Sequence, residues 1–88
     1  MIAWNSKDVG AAVRDARLQH GWTQAVLAAH VGASRQWIIA LEQGKRSAEI
    51  GKVINVLKVL GFVLDIQPTP NIDGAVDLDL LLNDQDQQ

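Results

Sequence analysis

The sequence predicts an all-α domain of four short helices, followed by one short β-strand that needs a partner. Three observations carry that expectation. Residues 23–44, TQAVLAAHVGASRQWIIALEQG, hold two short apolar stripes at helical spacing on either side of Gly32. A polar cap, an apolar stripe and a closing glycine recur in that order before and after this stretch. Residues 62–67, FVLDIQ, then alternate apolar and polar and stop at Pro68.

The first helix is expected from a cap at Ser6 to about residue 20, with Val9, Val13 and Ala16 as its stripe. Lys7, Arg14 and Arg17 are placed outside that stripe. Asp8 in the first turn and His20 in the last suit the helix dipole. Gly21 ends the helix, and Trp22 packs over the junction. Thr23 caps the second helix, whose Leu27, Ala28 and Val31 face inward. Gly32 supplies the positive φ that a sharp reversal needs. Ser34 caps the third helix, Ile38 and Leu41 form its buried stripe, and Gly44 closes it. Ser47 is expected to cap a fourth helix running to about residue 60, with Glu49 in its first turn. Its Ile50, Val53, Ile54, Val56, Leu57, Val59 and Leu60 cover more than one face, and the surplus asks for a second partner.

Ala28 must be small where the third helix crosses above it, and Ile38 wedges between the two helices. These demands fit a helix-turn-helix, in which the second helix of the pair enters a DNA major groove. A plain helical hairpin meets the same spacing. The polar residues favour the first reading. Arg35 can pair bidentately with guanine and Gln36 with adenine, at the helix end that reaches base edges. The base-facing set is Ser34, Arg35, Gln36, Ile39, Ala40 and Gln43. The phosphate-facing set is Thr23, Gln24, Trp37, Lys45 and Arg46, which would position the protein and add salt-dependent affinity. Trp37 has packing against a neighbouring helix as its plainer role, and the polar members have simple solvation.

The formal net charge is −2, but the sign is unevenly distributed. Residues 1–70 hold eight bases against five acids, net +3, whereas residues 71–88 hold five Asp and no base, net −5. With no cysteine there is no disulfide framework and no thiolate metal site. No apolar run is long enough for a membrane span and no signal peptide is evident, so a cytoplasmic, nucleoid-associated protein is expected. His20 and His30 fall on different helices without matched carboxylates, so neither a metal, a cofactor nor an enzymatic activity is expected.

A lone strand leaves its backbone groups unpaired, and the sequence offers no second strand. The expected partner is the same strand of a second copy, through Phe62, Val63, Leu64 and Ile66, in a symmetric homodimer on a palindromic operator. The organisation is thus residues 1–61 for DNA binding, 62–68 for dimerisation and 69–88 as an acidic flexible tail. Leu78, Leu80 and Leu81 in that tail are more than solubility requires and form a candidate partner-binding motif.

GWTQAVLA, Gly32, SRQWI, LEQGK and AEIGKVINVLKVLGFVLDI together resemble the Xre-type helix-turn-helix family, and within it the HipB-like antitoxins. The resemblance spans roughly residues 6–67. It implies a lambda-repressor-like bundle whose C-terminal strand pairs in a dimer, and a repressor of its own operon that binds and neutralises a HipA-like Ser/Thr kinase toxin. It places DNA contacts on Gln24, Ser34, Arg35, Gln36, Ala40 and Lys45. A stand-alone phage-type regulator and a non-DNA protein adaptor are the competing expectations.

Overall fold

A computed structural model describes residues 1–69. The expectations for Leu78, Leu80 and Leu81 lie outside the described residues. Four helices are present: α1 Ser6–Gln19, α2 Gln24–Val31, α3 Arg35–Glu42 and α4 Ile50–Val59. Helix α2 packs on both α3 and α4, and α1 packs on α3.

Each helix sends one side chain into the fully buried centre: Val13 from α1, Leu27 from α2, Ile38 from α3 and Val56 from α4. Each such burial contributes about 1.5–3 kcal/mol, so the four together hold the helices against one another. Ala16, Ala28, Leu41, Leu57 and Leu60 complete the core. The helix-turn-helix stripes thus point where the apolar spacing places them. Helix α2 is capped by Thr23, whose Oγ1 accepts from the Val26 N–H at 3.1 Å. Helix α3 is capped by Ser34, whose Oγ accepts from the Trp37 N–H at 3.1 Å. Between them Gly32 takes φ +71°, in the left-handed region.

Two caps differ from expectation. Helix α1 is capped by Asn5, whose Oδ1 accepts from the Asp8 N–H at 2.9 Å, while the Asp8 carboxylate accepts from the Trp4 N–H at 2.9 Å. The first bond satisfies a donor of the opening turn, and the second ties down the residue before the cap. Ser6 is the first helical residue, and its hydroxyl donates to the Gly44 carbonyl at 2.8 Å. It ties α1 to the loop after α3. At α4 the capping position falls on Glu49, which makes no side-chain cap bond, and Ser47 lies before it in the loop.

Gly10 was part of no motif, yet it is buried where α1 crosses the end of α3. A Cβ there would collide with the Leu41 carbonyl oxygen and stand 2.7 Å from that of Glu42. Both obstacles are backbone and cannot swing aside. A Gly10→Ala variant gains up to about 1 kcal/mol of helix propensity. It loses more by forcing the helices apart, so the expected net cost is about 1–3 kcal/mol in urea denaturation. A stabilised variant would contradict this close crossing.

Trp22 is stacked between two imidazoles, with ring centroids 4.6 Å from His20 and 4.4 Å from His30. The His20 Nε2 also lies 3.3 Å from the Leu60 carbonyl oxygen, joining the end of α1 to the end of α4. The two histidines and the tryptophan therefore fasten the end of the bundle opposite the Ser6–Gly44 contact.

Residues 62–69 have no regular secondary structure in the single chain, and no strand occurs among the described residues. Phe62, Leu64, Val63 and Ile66 are all exposed, the last two by 85 and 88 %. No described helix is long and apolar enough to cross a membrane.

Candidate nucleic-acid interface

Arg17 is the residue on which this face is built. The expected position outside the α1 stripe is wrong: Arg17 is buried, with 8 % of its surface accessible. Its Nε donates to Glu42 Oε2 at 2.7 Å and its Nη2 to Glu42 Oε1 at 3.1 Å. A further bond runs from Nη1 to the Trp22 carbonyl at 2.8 Å. The guanidinium thus clamps the last residue of α3 to α1 and to the junction before α2. Such a planar fork matches a carboxylate in two parallel bonds, which a lysine could not supply.

Glu42 has a second partner. The Gln24 Nε2 donates to Glu42 Oε1 at 3.2 Å, so the first residue of α2 is held by the same carboxylate. No buried side-chain polar atom is left without a hydrogen bond among the described residues. The network is therefore fully satisfied, the condition under which a buried ion pair specifies geometry rather than merely costing desolvation energy.

Above this network lies an open cleft of about 550 Å³, lined by α1, α2 and α3. Helix α3 contributes Arg35 and Ile39 at successive turns, and Gln43 follows at its C-cap. Thr23, Gln24 and Ala25 come from the start of α2, and Arg14 joins from α1. Arg14 and Arg35 are exposed and make no hydrogen bond or ion pair among the described residues. Three arginines and one glutamate surround the cleft, so its field is positive. The N-terminus of α2, with its unpaired backbone donors, adds to that sign.

The structure brings five of the expected residues into this cleft: Thr23, Gln24, Arg35, Ile39 and Gln43. Ser34 and Gln36 are exposed beside it at the start of α3, and Ala40 is half-buried one turn further on. Ser34 spends an oxygen lone pair on its capping bond. Lys45 and Arg46 are exposed in the loop after α3, directly following Gly44, whose carbonyl accepts from Ser6 of α1. Trp37 is half-buried against the core, and the Lys52 ammonium of α4 lies 5.7 Å from its ring centroid. That contact ties α3 to α4. Arg14 and the Arg17–Glu42 pair were not singled out in the sequence. Arg17 does fall four residues after Val13 and eight after Val9, so helical spacing marks it as inward-facing despite its charge.

Residues 8–65 match the helix-turn-helix domain family. The chain belongs to that family. A relative in Sinorhizobium fredii (strain NBRC 101917 / NGR234), named as the uncharacterized HTH-type transcriptional regulator y4mF, is 44 % identical over 59 residues. The similarity covers 67 % of this chain and 78 % of the relative. The matched region contains the Arg17–Glu42 clamp, both helices of the motif and residues 62–65. A helix-turn-helix domain and a relative named as a transcriptional regulator support DNA-binding regulation.

Proposed function

We propose that the chain is a sequence-specific transcriptional autorepressor that reads a palindromic operator as a homodimer, and that it is the antitoxin of a HipA-like Ser/Thr kinase. The observation that carries the DNA reading is the cleft, where Arg35, unpaired among the described residues, opens the recognition helix beside a Gln24 anchored through Glu42. In this reading Ser34, Arg35, Gln36, Ile39, Ala40 and Gln43 face bases. Thr23, Gln24, Lys45 and Arg46 hold phosphates, with Arg14 added to them, and Trp37 supports α3 from behind. Residues 1–61 bind DNA, 62–68 pair between copies and 69–88 form the tail.

The dimer reading is supported by exposed Phe62, Val63, Leu64 and Ile66, whose backbone groups have no ladder partner among the described residues. A Leu64→Pro variant removes one backbone donor and bends the segment away from pairing. Its dimer dissociation constant in sedimentation equilibrium is expected to rise at least about tenfold, the worth of roughly one strand hydrogen bond. A wild-type chain that stays monomeric at about 100 μM would contradict the pairing.

The kinase partner is supported by the likeness of the SRQWI and LEQGK runs and the following segment to HipB-like antitoxins. Co-purification of a kinase encoded beside the gene tests it, and capture of no kinase would leave the regulator alone. That second reading, a stand-alone regulator, is favoured by one observation: the named relative is called a transcriptional regulator and nothing more.

A further inference from the structure

We propose that the acidic segment 73–86 of this chain docks in the cleft between α1, α2 and α3 and competes there with the DNA backbone. The proposal deepens the DNA-binding reading, since its consequence is control of that same face, but the contact itself is measurable without DNA.

Charge complementarity is the first argument. All eight bases of the chain lie in residues 1–69, and Asp73, Asp77, Asp79, Asp84 and Asp86 lie after them with no base between. On the cleft wall Arg14 and Arg35 make no hydrogen bond or ion pair among the described residues. The one acid of the cleft, Glu42, is consumed by Arg17 and Gln24. A carboxylate in the cleft would therefore meet two available guanidinium forks and the donors at the start of α2. Chemical texture is the second argument. The cleft sets apolar Ile39 and Ala25 among these cations, and the run DLDLLL alternates carboxylates with leucines. An acid-only tail would satisfy the arginines and leave Ile39 wet.

Chain length permits the contact. Leu60, whose carbonyl lies beside His20, is joined to α1 three residues past Arg17 of the cleft. The chain then runs from residue 61 to residue 73 before its first tail carboxylate. That length can span up to roughly 40 Å when extended. A tether of this kind gives a local concentration in the millimolar range, so even a weak docking site is substantially filled. Duplex DNA must displace the tail, and the apparent operator affinity falls by the occupied fraction.

The test uses three full-length proteins: wild type, a variant with all five tail aspartates changed to asparagine, and a Leu78→Ser/Leu80→Ser/Leu81→Ser variant that keeps the charge. The substitutions all follow α4 in sequence, and the thermal midpoint of each variant checks that the bundle is folded. Amide and arginine Nε NMR signals are compared without DNA, and anisotropy is measured on labelled duplex from upstream of the gene and on a scrambled duplex. The asparagine variant is expected to shift the signals of Arg14, Gln24, Arg35 and Gln43, and the serine variant to shift them partway. Both should bind DNA more tightly. The gain for the asparagine variant is expected near tenfold at about 50 mM salt and should shrink toward twofold near 300 mM. Superimposable cleft signals overturn the proposal even if affinity changes, because a general charge effect then suffices. A serine variant identical to wild type in both readouts overturns it likewise. Cleft shifts with no binding to either duplex uphold the tail contact and refute the DNA reading instead.

Discussion

Replacing Arg17 by Met lowers the free energy of unfolding by about 3–5 kcal/mol, enough to leave much of an 88-residue chain unfolded at room temperature. Met matches the length of the arginine stem and keeps the packing, so the loss isolates the charge. What remains is Glu42, with 4 % of its side chain accessible, ionised and without its two guanidinium bonds. The Trp22 carbonyl also loses its donor, and Gln24 keeps a carboxylate that is no longer held in place. Glu42→Gln is expected to cost less, because the amide oxygen still accepts one bond from Arg17 and the guanidinium keeps its bond to the Trp22 carbonyl, although its charge loses its counter-ion. The double variant Arg17→Met/Glu42→Leu should recover part of the stability, since no charge is left buried alone, while the Trp22 carbonyl and the Gln24 amide still lose their partners. Urea denaturation of wild type, Arg17→Met, Glu42→Leu and the double variant reads the coupling directly. A loss under about 1 kcal/mol in Arg17→Met would mean that the pair behaves as a solvent-exposed one.

Arg35→Ala/Gln36→Ala is expected to weaken operator recognition severely while leaving the fold intact. A good bidentate base contact contributes about 1–3 kcal/mol of discrimination, so losing both costs between roughly 30-fold and 10⁴-fold in specific affinity. Both side chains are exposed and neither is part of the core, so the thermal midpoint should barely move. Binding to scrambled duplex should fall only slightly, because the other basic residues still neutralise phosphates. Lys45→Ala makes the contrasting case: affinity falls for every sequence by a similar factor, and the slope of log K against log salt shallows by about one. If the double alanine variant instead weakened operator and scramble equally, Arg35 and Gln36 would be phosphate contacts and the bases would be read elsewhere.

The helical architecture was legible because its signals are local. Val13, Leu27, Ile38 and Val56 stand at helical spacing within their own segments, and Thr23 and Ser34 lie immediately before an apolar stripe. Gly32 marks the turn for an equally local reason, its positive φ. Two start positions shifted because capping depends on which neighbour the side chain reaches. Asn5 and Ser6 are both good capping residues, and Ser6 was drawn away by the Gly44 carbonyl across the bundle. The Arg17–Glu42 clamp joins residues 25 apart, a separation that periodicity cannot address, and reading charge as surface hid it. Gly10 escaped notice for the same reason: its role is set by the backbone of α3, not by its own helix. The order of Arg35 and Gln36 at the head of α3 was visible from sequence. That Arg14 and an anchored Gln24 share the cleft with Arg35 was not, because three helices must first be assembled.

The central claim is that α3 reads a specific DNA sequence. Fluorescence anisotropy on duplex from immediately upstream of the gene, against a scrambled duplex of equal length and composition at two salt concentrations, measures it most directly. Submicromolar binding to the upstream duplex is expected, with at least about a hundredfold preference over the scramble, weakened for both by added salt. Weak and equal binding to the two duplexes would contradict sequence-specific readout by α3 at that site.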